Sequence, residues 1–185
     1  GLFFGSFNPI HLGHLIIAQA FINFTELDEI MFIVSPHNPL KKKSGLADEQ
    51  YRLKMAQLAT TGNPKFLVSD IELNMPRPSY TINTLRELQS SQPEKGYVML
   101  MGSDSIDDIQ KWKNHEQILE REIYVYPRKG ASKFSHVFDH VKFFDLPEID
   151  ISSTLIRDLI KNGKSIKYLV PDNVRNYIGK KHLYT

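Results

Sequence analysis

The chain has 185 residues, of which 41% are hydrophobic and 24% are charged, and its formal net charge is +2. This size and composition are typical of a globular protein with one sizeable core, and so small a net charge does not indicate a nucleic-acid partner. The absence of cysteine excludes disulfides, a thiol nucleophile and a cysteine-bound metal. No apolar run reaches the roughly 20 residues that span a membrane, so no membrane partner is expected.

We expect a cytoplasmic protein, because the chain has no cysteine and no basic segment followed by an apolar one, as a signal peptide would have. The chain opens inside an apparent strand without an initiator methionine, which predicts that a few N-terminal residues are missing. The sequence is compatible with a homo-oligomer and does not define the number of subunits.

Short apolar runs alternate with helix-like patterns along the chain. This alternation predicts an α/β fold, a Rossmann-like doubly wound parallel sheet with helices on both faces and a small C-terminal helical segment. We expect a single domain over 1–185, with the helical segment at about 152–185. Ligands bind such sheets beyond the carboxyl ends of the strands, at the point where the strand order reverses. The predicted strands are 1–4, 29–34, 66–68, 97–101, 122–126 and 141–144. The predicted helices are 15–22, 48 to about 59, 79–88, 152 to about 163, and about 171–180.

The segment that follows the first predicted strand is the most informative part of the sequence. It reads GSFNPI over 5–10 and HLGH over 11–14, just before a helix. A helix N-terminus has unpaired N–H groups and a partial positive charge, which attract phosphate. Small residues in the turn let a nucleotide lie close to the backbone, and His11 and His14 share one face of the first helical turn. We therefore predict a phosphate site, and a zinc pair is the weaker alternative because no Glu accompanies the histidines at i,i+4 spacing.

A second pattern of the same kind begins at Ile151. Ser152, Ser153 and Thr154 place hydroxyl and N–H groups at a predicted helix N-terminus, and Arg157 follows about one turn later. Simple capping is the alternative, since Ser and Thr are favoured there for backbone reasons alone. The presence of the first motif favours a second phosphate-binding segment.

Further candidates follow the carboxyl ends of other predicted strands. After the fourth strand, Gly102 permits close approach, and Asp104 can accept a hydrogen bond from a ribose hydroxyl or from the adenine side. Trp112, the only tryptophan, lies between two lysines and is suited to stacking on an aromatic ring. The remaining candidates on this rim are Asn38, Lys41, Ser79, Tyr80, Thr81 and Arg128.

These segments together resemble bacterial nicotinate-nucleotide adenylyltransferases, which belong to the HxGH nucleotidylyltransferase superfamily, over nearly the whole chain. The motifs GSFNPIHLGH at 5–14 and ISSTLIR at 151–157 mark the superfamily. The SYT segment at 79–81, the MGSDS segment at 101–105 and Trp112 are similar to this member of it.

Two positions differ from the usual family pattern. The family commonly has Asp where Asn8 stands and often has Thr where Ser6 stands, and the nicotinamide-using relatives also carry Asn in this turn. Phosphopantetheine adenylyltransferases share the two end motifs, but they typically have Thr in place of His11, Lys near the Arg157 position and a shorter chain.

The resemblance implies that AMP moves from ATP to nicotinate mononucleotide, giving deamido-NAD and pyrophosphate in NAD biosynthesis. It implies that His11 and His14 contact the ATP phosphates, that Arg157 holds the β- and γ-phosphates, and that Mg²⁺ is carried by ATP without a dedicated protein metal site. The other implied ATP-binding residues are Gly5, Ser6, Phe7, Asn8, Gly102, Ser103, Asp104, Ile151, Ser152, Ser153 and Thr154. The implied mononucleotide-binding residues are Asn38, Lys41, Ser79, Tyr80, Thr81, Trp112 and Arg128.

Two alternatives belong beside this interpretation. One is an adenylyltransferase that uses another phosphate acceptor, such as nicotinamide mononucleotide or phosphopantetheine. The other is a nucleotide-binding regulatory module without turnover, which the intact HxGH and SSTxxR motifs disfavour because a sensor would not need both.

Overall fold

A computed structural model describes residues 1–37, 45–128 and 138–185 of the chain. The strands of the described residues are β1 (Leu2–Gly5), β2 (Ile30–Val34), β3 (Phe66–Ser69), β4 (Met99–Gly102), β5 (Ile123–Tyr126) and β6 (Val141–Phe143). The α-helices are α1 (Leu12–Phe24), α2 (Glu49–Thr60), α3 (Thr81–Ser91), α4 (Ser103–Asp107), α5 (His115–Leu119), α6 (Ser153–Lys161) and α7 (Asp172–Lys180). Short 3₁₀ turns lie at Ile71–Leu73 and Ile109–Lys111.

The six strands form one parallel sheet in the order β3-β2-β1-β4-β5-β6. The chain builds the sheet outward from β1 through β2 to β3, then returns and builds the other half from β4 to β6. The order therefore reverses between β1 and β4, where the loops leaving two neighbouring strands diverge and open a crevice. The predicted Rossmann-like doubly wound α/β fold is confirmed.

Alternate residues of the inner strands belong to two separate apolar cores, one on each face of the sheet. Phe3, Phe32 and Leu100 lie in the core shared with α1 and α2. Their neighbours Leu2 and Ile33 lie in the core shared with α3. Successive strand side chains point to opposite faces, and a strand that is buried on both faces needs apolar residues at every position. This explains why the predicted strands were continuous apolar runs.

The C-terminal helices complete the first of these cores. Ile156 of α6 and Val174 and Ile178 of α7 are buried in it. The segment between the two helices also contacts α1, because the Leu12 N–H donates to the Leu169 carbonyl at 2.9 Å. The predicted C-terminal helical segment therefore packs directly against the start of α1.

Two local predictions differ from the structure. We expected Ser79 to cap the helix that follows it, but α3 begins at Thr81 with Tyr80 as the N-cap residue. Ser79 is buried instead and donates its hydroxyl to a carboxylate oxygen of Glu72 at 3.2 Å. The spacing of Leu53, Ala56 and Ala59 predicts one apolar face for α2, but of these only Ala56 is buried, and the helix buries Arg52 beside it.

None of the helices within the described ranges is both long enough and apolar enough to cross a membrane.

Candidate active site

The turn after β1 folds a phenylalanine back beneath the strand end. Phe7 has a positive φ of 44° and is buried, with its ring packed edge-on against Phe3 and Phe32. A Cβ atom on Gly5 would lie 2.8 Å from the Phe7 ring, so only glycine fits there. The Phe7 side chain therefore belongs to the core, and any contact of this residue with a nucleotide is left to its backbone.

The two motif histidines lie against each other at the start of α1. Their ring centroids are 3.7 Å apart, and the backbone N–H of His11, the N-cap residue, donates to Nδ1 of His14 at 3.2 Å. Since Nδ1 of His14 accepts this bond, the proton of the neutral ring is on Nε2. His14 therefore offers an N–H donor from its outer nitrogen.

Burial lowers the pKa of both imidazoles. The pKa of His11 falls to about 3, first through burial and then through the nearby Arg128 guanidinium. The pKa of His14 falls well below its usual value through burial, His11 and Arg128, in that order. Both rings are therefore neutral at physiological pH in the unliganded protein.

The two sequence motifs, far apart in the chain, meet at this turn. The Ser153 hydroxyl donates to the Pro9 carbonyl at 2.9 Å, and Nη1 of Arg157 donates to the Asn8 carbonyl at 2.8 Å. The Ser152 hydroxyl accepts from the Leu155 N–H at 3.1 Å and so caps α6. Ser152 therefore caps the helix, as the alternative interpretation predicts, while Ser153 and Arg157 bind the other motif, and phosphate binding by this segment stays a prediction.

The remaining residues of the second motif lie next to these. Nη2 of Arg157 donates to the Thr154 hydroxyl at 3.1 Å, which fixes the guanidinium over the first turn of α6. Ile151 lies beside His11 and His14 in a small crevice.

Asn8 is buried, and protein groups occupy its side chain. Nδ2 donates to the Gly45 carbonyl at 2.8 Å, while Oδ1 accepts from the Ala47 N–H at 3.1 Å and from the Tyr184 hydroxyl at 2.8 Å. An Asp here could not donate to Gly45, which gives a physical reason for Asn in this chain. The amide therefore braces the turn, and its predicted contact with ATP stays a prediction.

The strand end at Gly102 is covered by two charged side chains. A Cβ atom on Gly102 would lie 2.4 Å from a carboxylate oxygen of Asp104 and 2.8 Å from Cγ of Arg128. Nε of Arg128 lies 3.9 Å from the same Asp104 carboxylate, and the Arg128 N–H donates to the buried Ser103 hydroxyl at 2.8 Å. Gly102 thus allows protein groups to approach, and the structure places Arg128 beside the histidines.

A cavity of about 200 Å³ opens next to this turn. Its lining combines residues predicted for the two substrates: Gly5 and Ser6 from the turn after β1, with Tyr80, Thr81 and Trp112 from the α3 side of the sheet. Trp112 is half-buried and packs against the core on that side. The other described lining residues are Phe4, Ser35, His37, Glu72, Ser79, Ser105, Lys111, Lys113 and Ile118.

Two predicted residues cannot be placed, and one lies apart from its predicted group. Asn38 and Lys41 lie outside the described residues. Arg128, predicted for the mononucleotide, is not among the described residues that line the cavity, and it lies with His11 and His14 in the small crevice.

The sequence analysis missed Arg52, which is 1% exposed. Its Nη1 donates to the carbonyls of Ser6 and Ser35 at 2.6 Å each, Nη2 donates to that of Pro36 at 2.8 Å, and Nε donates to that of Ala47 at 2.9 Å. One guanidinium thus joins the loops that leave β1 and β2. The signal available in the sequence was an arginine one turn before Met55 and Ala56, on the face that α2 buries.

Glu72 was missed as well. It lies in the 3₁₀ turn after β3, is 3% exposed and accepts hydrogen bonds from the hydroxyls of Ser79 and Thr84. No spacing in the sequence indicates a carboxylate held in this way.

The sequence matches the cytidylyltransferase-like family over residues 2–159. Two curated relatives, both carrying the name "Probable nicotinate-nucleotide adenylyltransferase", align with the whole chain. The protein from Cytophaga hutchinsonii is 46% identical and is covered over 97% of its length, and that from Flavobacterium johnsoniae is 47% identical with the same coverage.

The fold is similar to that of solved Plasmodium falciparum structures. The nicotinic acid mononucleotide adenylyltransferase complexed with NaAD superposes with a TM-score of 0.84, and the same protein complexed with APC with a TM-score of 0.82. Each is 20% identical to this chain, and each alignment covers 99% of this chain and 95% of the other. With the family match and the full-length bacterial relatives, these findings establish that the chain belongs to the cytidylyltransferase-like family, among the nicotinate-nucleotide adenylyltransferases.

Proposed function

We propose that this chain transfers AMP from ATP to nicotinate mononucleotide, giving deamido-NAD and pyrophosphate for NAD synthesis. The observation that carries the proposal is the shared cavity, where Gly5 and Ser6 of the turn after β1 face Tyr80, Thr81 and Trp112. A transferase that joins two nucleotides needs both binding surfaces at one opening, and the names of the bacterial relatives support this pair of substrates.

The mononucleotide occupies the α3 side of the cavity in this proposal. The first N–H groups of α3, near Thr81, have no partners within the helix and suit a carboxylate. The half-buried Trp112 stacks on the pyridine ring. Lys111 and Lys113 add positive charge to the rim for the 5′-phosphate. Ser79 lines the same cavity and stays in the proposal as a mononucleotide contact. Asn38 and Lys41, in the segment after β2, stay in the proposal as well.

ATP occupies the turn after β1 and the start of α6. The Nε2–H of His14 donates to an oxygen of the α-phosphoryl group, and His11 supports the His14 ring from behind. Arg157 uses two of its nitrogens within the protein, and its remaining N–H groups are available for the β- and γ-phosphates. Ser153 and Thr154 supply backbone N–H groups at the same place.

The adenosine side of the substrate lies near Gly102 and Asp104 in this proposal. The Asp104 carboxylate is more than half exposed, so it can accept from a ribose hydroxyl. Arg128 lies between this carboxylate and the histidines, and we assign it to the ATP phosphates on the basis of that placement.

The chemical step needs no covalent enzyme intermediate. The 5′-phosphate of the mononucleotide is already a nucleophile, and it attacks the α-phosphorus of ATP as the bond to pyrophosphate breaks on the opposite side. The protein then has to align the two substrates and stabilise charge on the phosphoryl oxygens. Mg²⁺ enters as the counter-ion of ATP and neutralises phosphate charge. We place this reaction in the cytoplasm.

The test is the release of pyrophosphate from MgATP by the purified protein, with three acceptors in parallel. We expect nicotinate mononucleotide to give a kcat/KM far above that of nicotinamide mononucleotide and of 4′-phosphopantetheine. Preference for another acceptor would overturn the assignment of Tyr80, Thr81 and Trp112 while keeping the phosphate chemistry. Binding of ATP without release of pyrophosphate in the presence of any of the three acceptors would support a regulatory module instead.

A further inference from the structure

The carboxylate of Glu72 is buried in the wall of the cavity. Its residue is 3% exposed, yet it lines the cavity together with Tyr80 and Trp112. Oε1 accepts from the Thr84 hydroxyl at 2.8 Å, and Oε2 accepts from the Ser79 hydroxyl at 3.2 Å. Two hydroxyl donors hold the group in one orientation, and both bonds use it as an acceptor.

No positive side chain compensates this carboxylate within the parts of the chain that the structure describes. No Lys, Arg or His nitrogen there lies within 4.0 Å of a Glu72 oxygen. The two lysines of the cavity rim contact groups other than Glu72: Lys111 pairs with Asp108 at 2.5 Å, and Lys113 lies 4.3 Å from the centre of the Tyr80 ring. Burying an unpaired charge is unfavourable. An anion kept in the wall of a ligand cavity therefore indicates a ligand that brings positive charge.

Building on the function proposed above, we propose that Glu72 recognises the positive charge of the pyridinium ring of the mononucleotide. The ring nitrogen bonded to the ribose is permanently cationic, and its charge spreads over the ring. The indole of Trp112 attracts a cationic ring placed on its face, and the carboxylate of Glu72 attracts it from the cavity wall. Glu72 is a specificity residue for the oxidised ring, so a dihydropyridine mononucleotide, whose ring is neutral, binds weakly.

This assignment separates two kinds of selectivity. Nicotinate and nicotinamide mononucleotides share the pyridinium charge, so Glu72 does not distinguish between them. The N–H groups near Thr81 act on the acid or amide substituent, whereas Glu72 acts on the ring itself.

The test compares two ligands that differ only in ring charge. One is nicotinate mononucleotide, and the other is its C-nucleoside analogue 3-(β-D-ribofuranosyl)benzoate 5′-phosphate, in which a carbon atom replaces the ring nitrogen. Trp112 is the only tryptophan and lines the cavity, so its fluorescence reports each Kd without turnover. We expect wild type to bind the pyridinium compound more tightly, and Glu72→Gln to reduce the ratio of the two Kd values about tenfold, or ~1.4 kcal/mol, by weakening the pyridinium compound alone.

Two further variants distinguish charge from local structure. Thr84→Val removes one hydroxyl partner but keeps the carboxylate, so any loss of affinity affects both ligands and the ratio is retained. Glu72→Asp keeps the charge and retains most of the ratio even where both Kd values rise. A ratio that falls as far in Thr84→Val or Glu72→Asp as in Glu72→Gln would overturn the proposal in favour of a structural role.

If a variant does not fold, the affinities of the wild-type protein for the two ligands still test the proposal. Equal affinity of wild type for the two ligands contradicts a role for ring charge. Failure of wild type to bind or adenylylate nicotinate mononucleotide would remove the proposed function and this inference together. Normal turnover with a ratio unchanged in Glu72→Gln would remove only the role of Glu72.

Discussion

The imidazoles of His11 and His14 lie in contact, yet neither carries a charge in the unliganded protein, because burial lowers the pKa of both. In the proposed complex, ATP therefore meets a neutral N–H donor on His14, and Arg157 supplies the permanent positive charge. Negative charge on a bound phosphate favours protonation of a nearby imidazole, so substrate binding itself can raise the positive charge of the site.

Replacement of His14 should damage catalysis far more than folding. We expect His14→Ala to lower kcat by about 100-fold or more, since it removes a donor from the charged transition state, while the unfolding temperature changes little. Steady-state kinetics with both substrates and thermal unfolding check this expectation. His140→Ala, at an exposed histidine outside the site, is the matched control and should behave as wild type. Near-normal turnover of His14→Ala would remove its assigned role.

The low pKa of His11 makes the stability of the protein dependent on pH. Below the ordinary histidine pKa of about 6.5, His11 of the unfolded chain binds a proton. His11 of the folded protein binds this proton only near pH 3. Stability is therefore unaffected above that range and falls as the pH is lowered through it. Between pH 7.5 and 5, His11 should account for about 2 kcal/mol of lost unfolding free energy.

Urea unfolding of wild type and His11→Asn at these two pH values measures this contribution. The variant should lose less stability than wild type on acidification, because its neutral side chain does not titrate. Burial, the largest cause of the lowered pKa of His14, is present in both proteins, so the difference between them reports chiefly on His11. Identical losses in the two proteins would contradict a depressed pKa.

Residues that work as a motif could be found from the sequence, whereas residues that work through the fold could not. His11, His14 and Arg157 stand at fixed spacings next to predicted helix starts, and those spacings predict the candidate site. Arg52 binds backbone carbonyls, which have no sequence signature, and the partners of Glu72 are common hydroxyl residues. Their roles depend on which loops the sheet brings together.

At the scale of elements, α2 connects to the site through one side chain. Arg52 reaches from the buried face of α2 to carbonyls of the loops after β1 and β2, including Ser6 and Ser35. Both of those residues line the cavity. The helix thus sets the separation of two loops without supplying a ligand contact of its own.

Reducing the number of hydrogen-bond donors at position 52 should destabilise the loops after β1 and β2. We expect Arg52→Lys to cost about 2 kcal/mol or more of unfolding free energy, because the ammonium cannot match four carbonyls and leaves some without donors. We also expect KM to rise for both substrates. Lys54→Arg, on the exposed face of the same helix, is the control and should leave stability and KM unchanged. Chemical denaturation and steady-state kinetics of the two variants provide the check.

Element types followed from the sequence more readily than element faces. The inner strands β2, β4 and β5 are largely buried and read as apolar runs, and all six strands overlap the predicted segments. Ser79 and the buried face of α2 were misassigned for a common reason, namely that a polar side chain with an internal partner occupies a buried position. Intrinsic preferences place Ser at caps and Arg on the surface, and tertiary hydrogen bonds override both.

At the scale of the whole molecule, distant parts of the chain meet at the turn after β1. The Tyr184 hydroxyl donates to Asn8 at 2.8 Å, and Asn8 in turn binds Gly45 and Ala47. Burial raises the pKa of Tyr184, so the hydroxyl keeps its proton and its role as donor. Two separate stretches of sequence, at 45–47 and at Tyr184, therefore brace the turn.

Removing the Tyr184 hydroxyl should weaken this brace selectively. We expect Tyr184→Phe to lower the unfolding free energy by ~1 kcal/mol, the value of one hydrogen bond, and to raise KM for ATP more than KM for nicotinate mononucleotide. Tyr168→Phe, at a side chain that is 75% exposed, is the control and should change neither quantity. Equal effects on the two KM values would indicate that Tyr184 stabilises the whole protein rather than the ATP side of the site.

The two cores described on either side of the sheet bear on how such a protein can evolve. The segments that carry the residues proposed to bind phosphate contribute Ile10, Ile17 and Ile156 to one core, whereas Tyr80 and Trp112 pack against the other. Substitutions that reshape the proposed acceptor surface can therefore accumulate around the second core, while the first core keeps the residues proposed for the nucleoside triphosphate in place. Lineages built on this plan can exchange one acceptor for another and inherit the adenylylation chemistry intact.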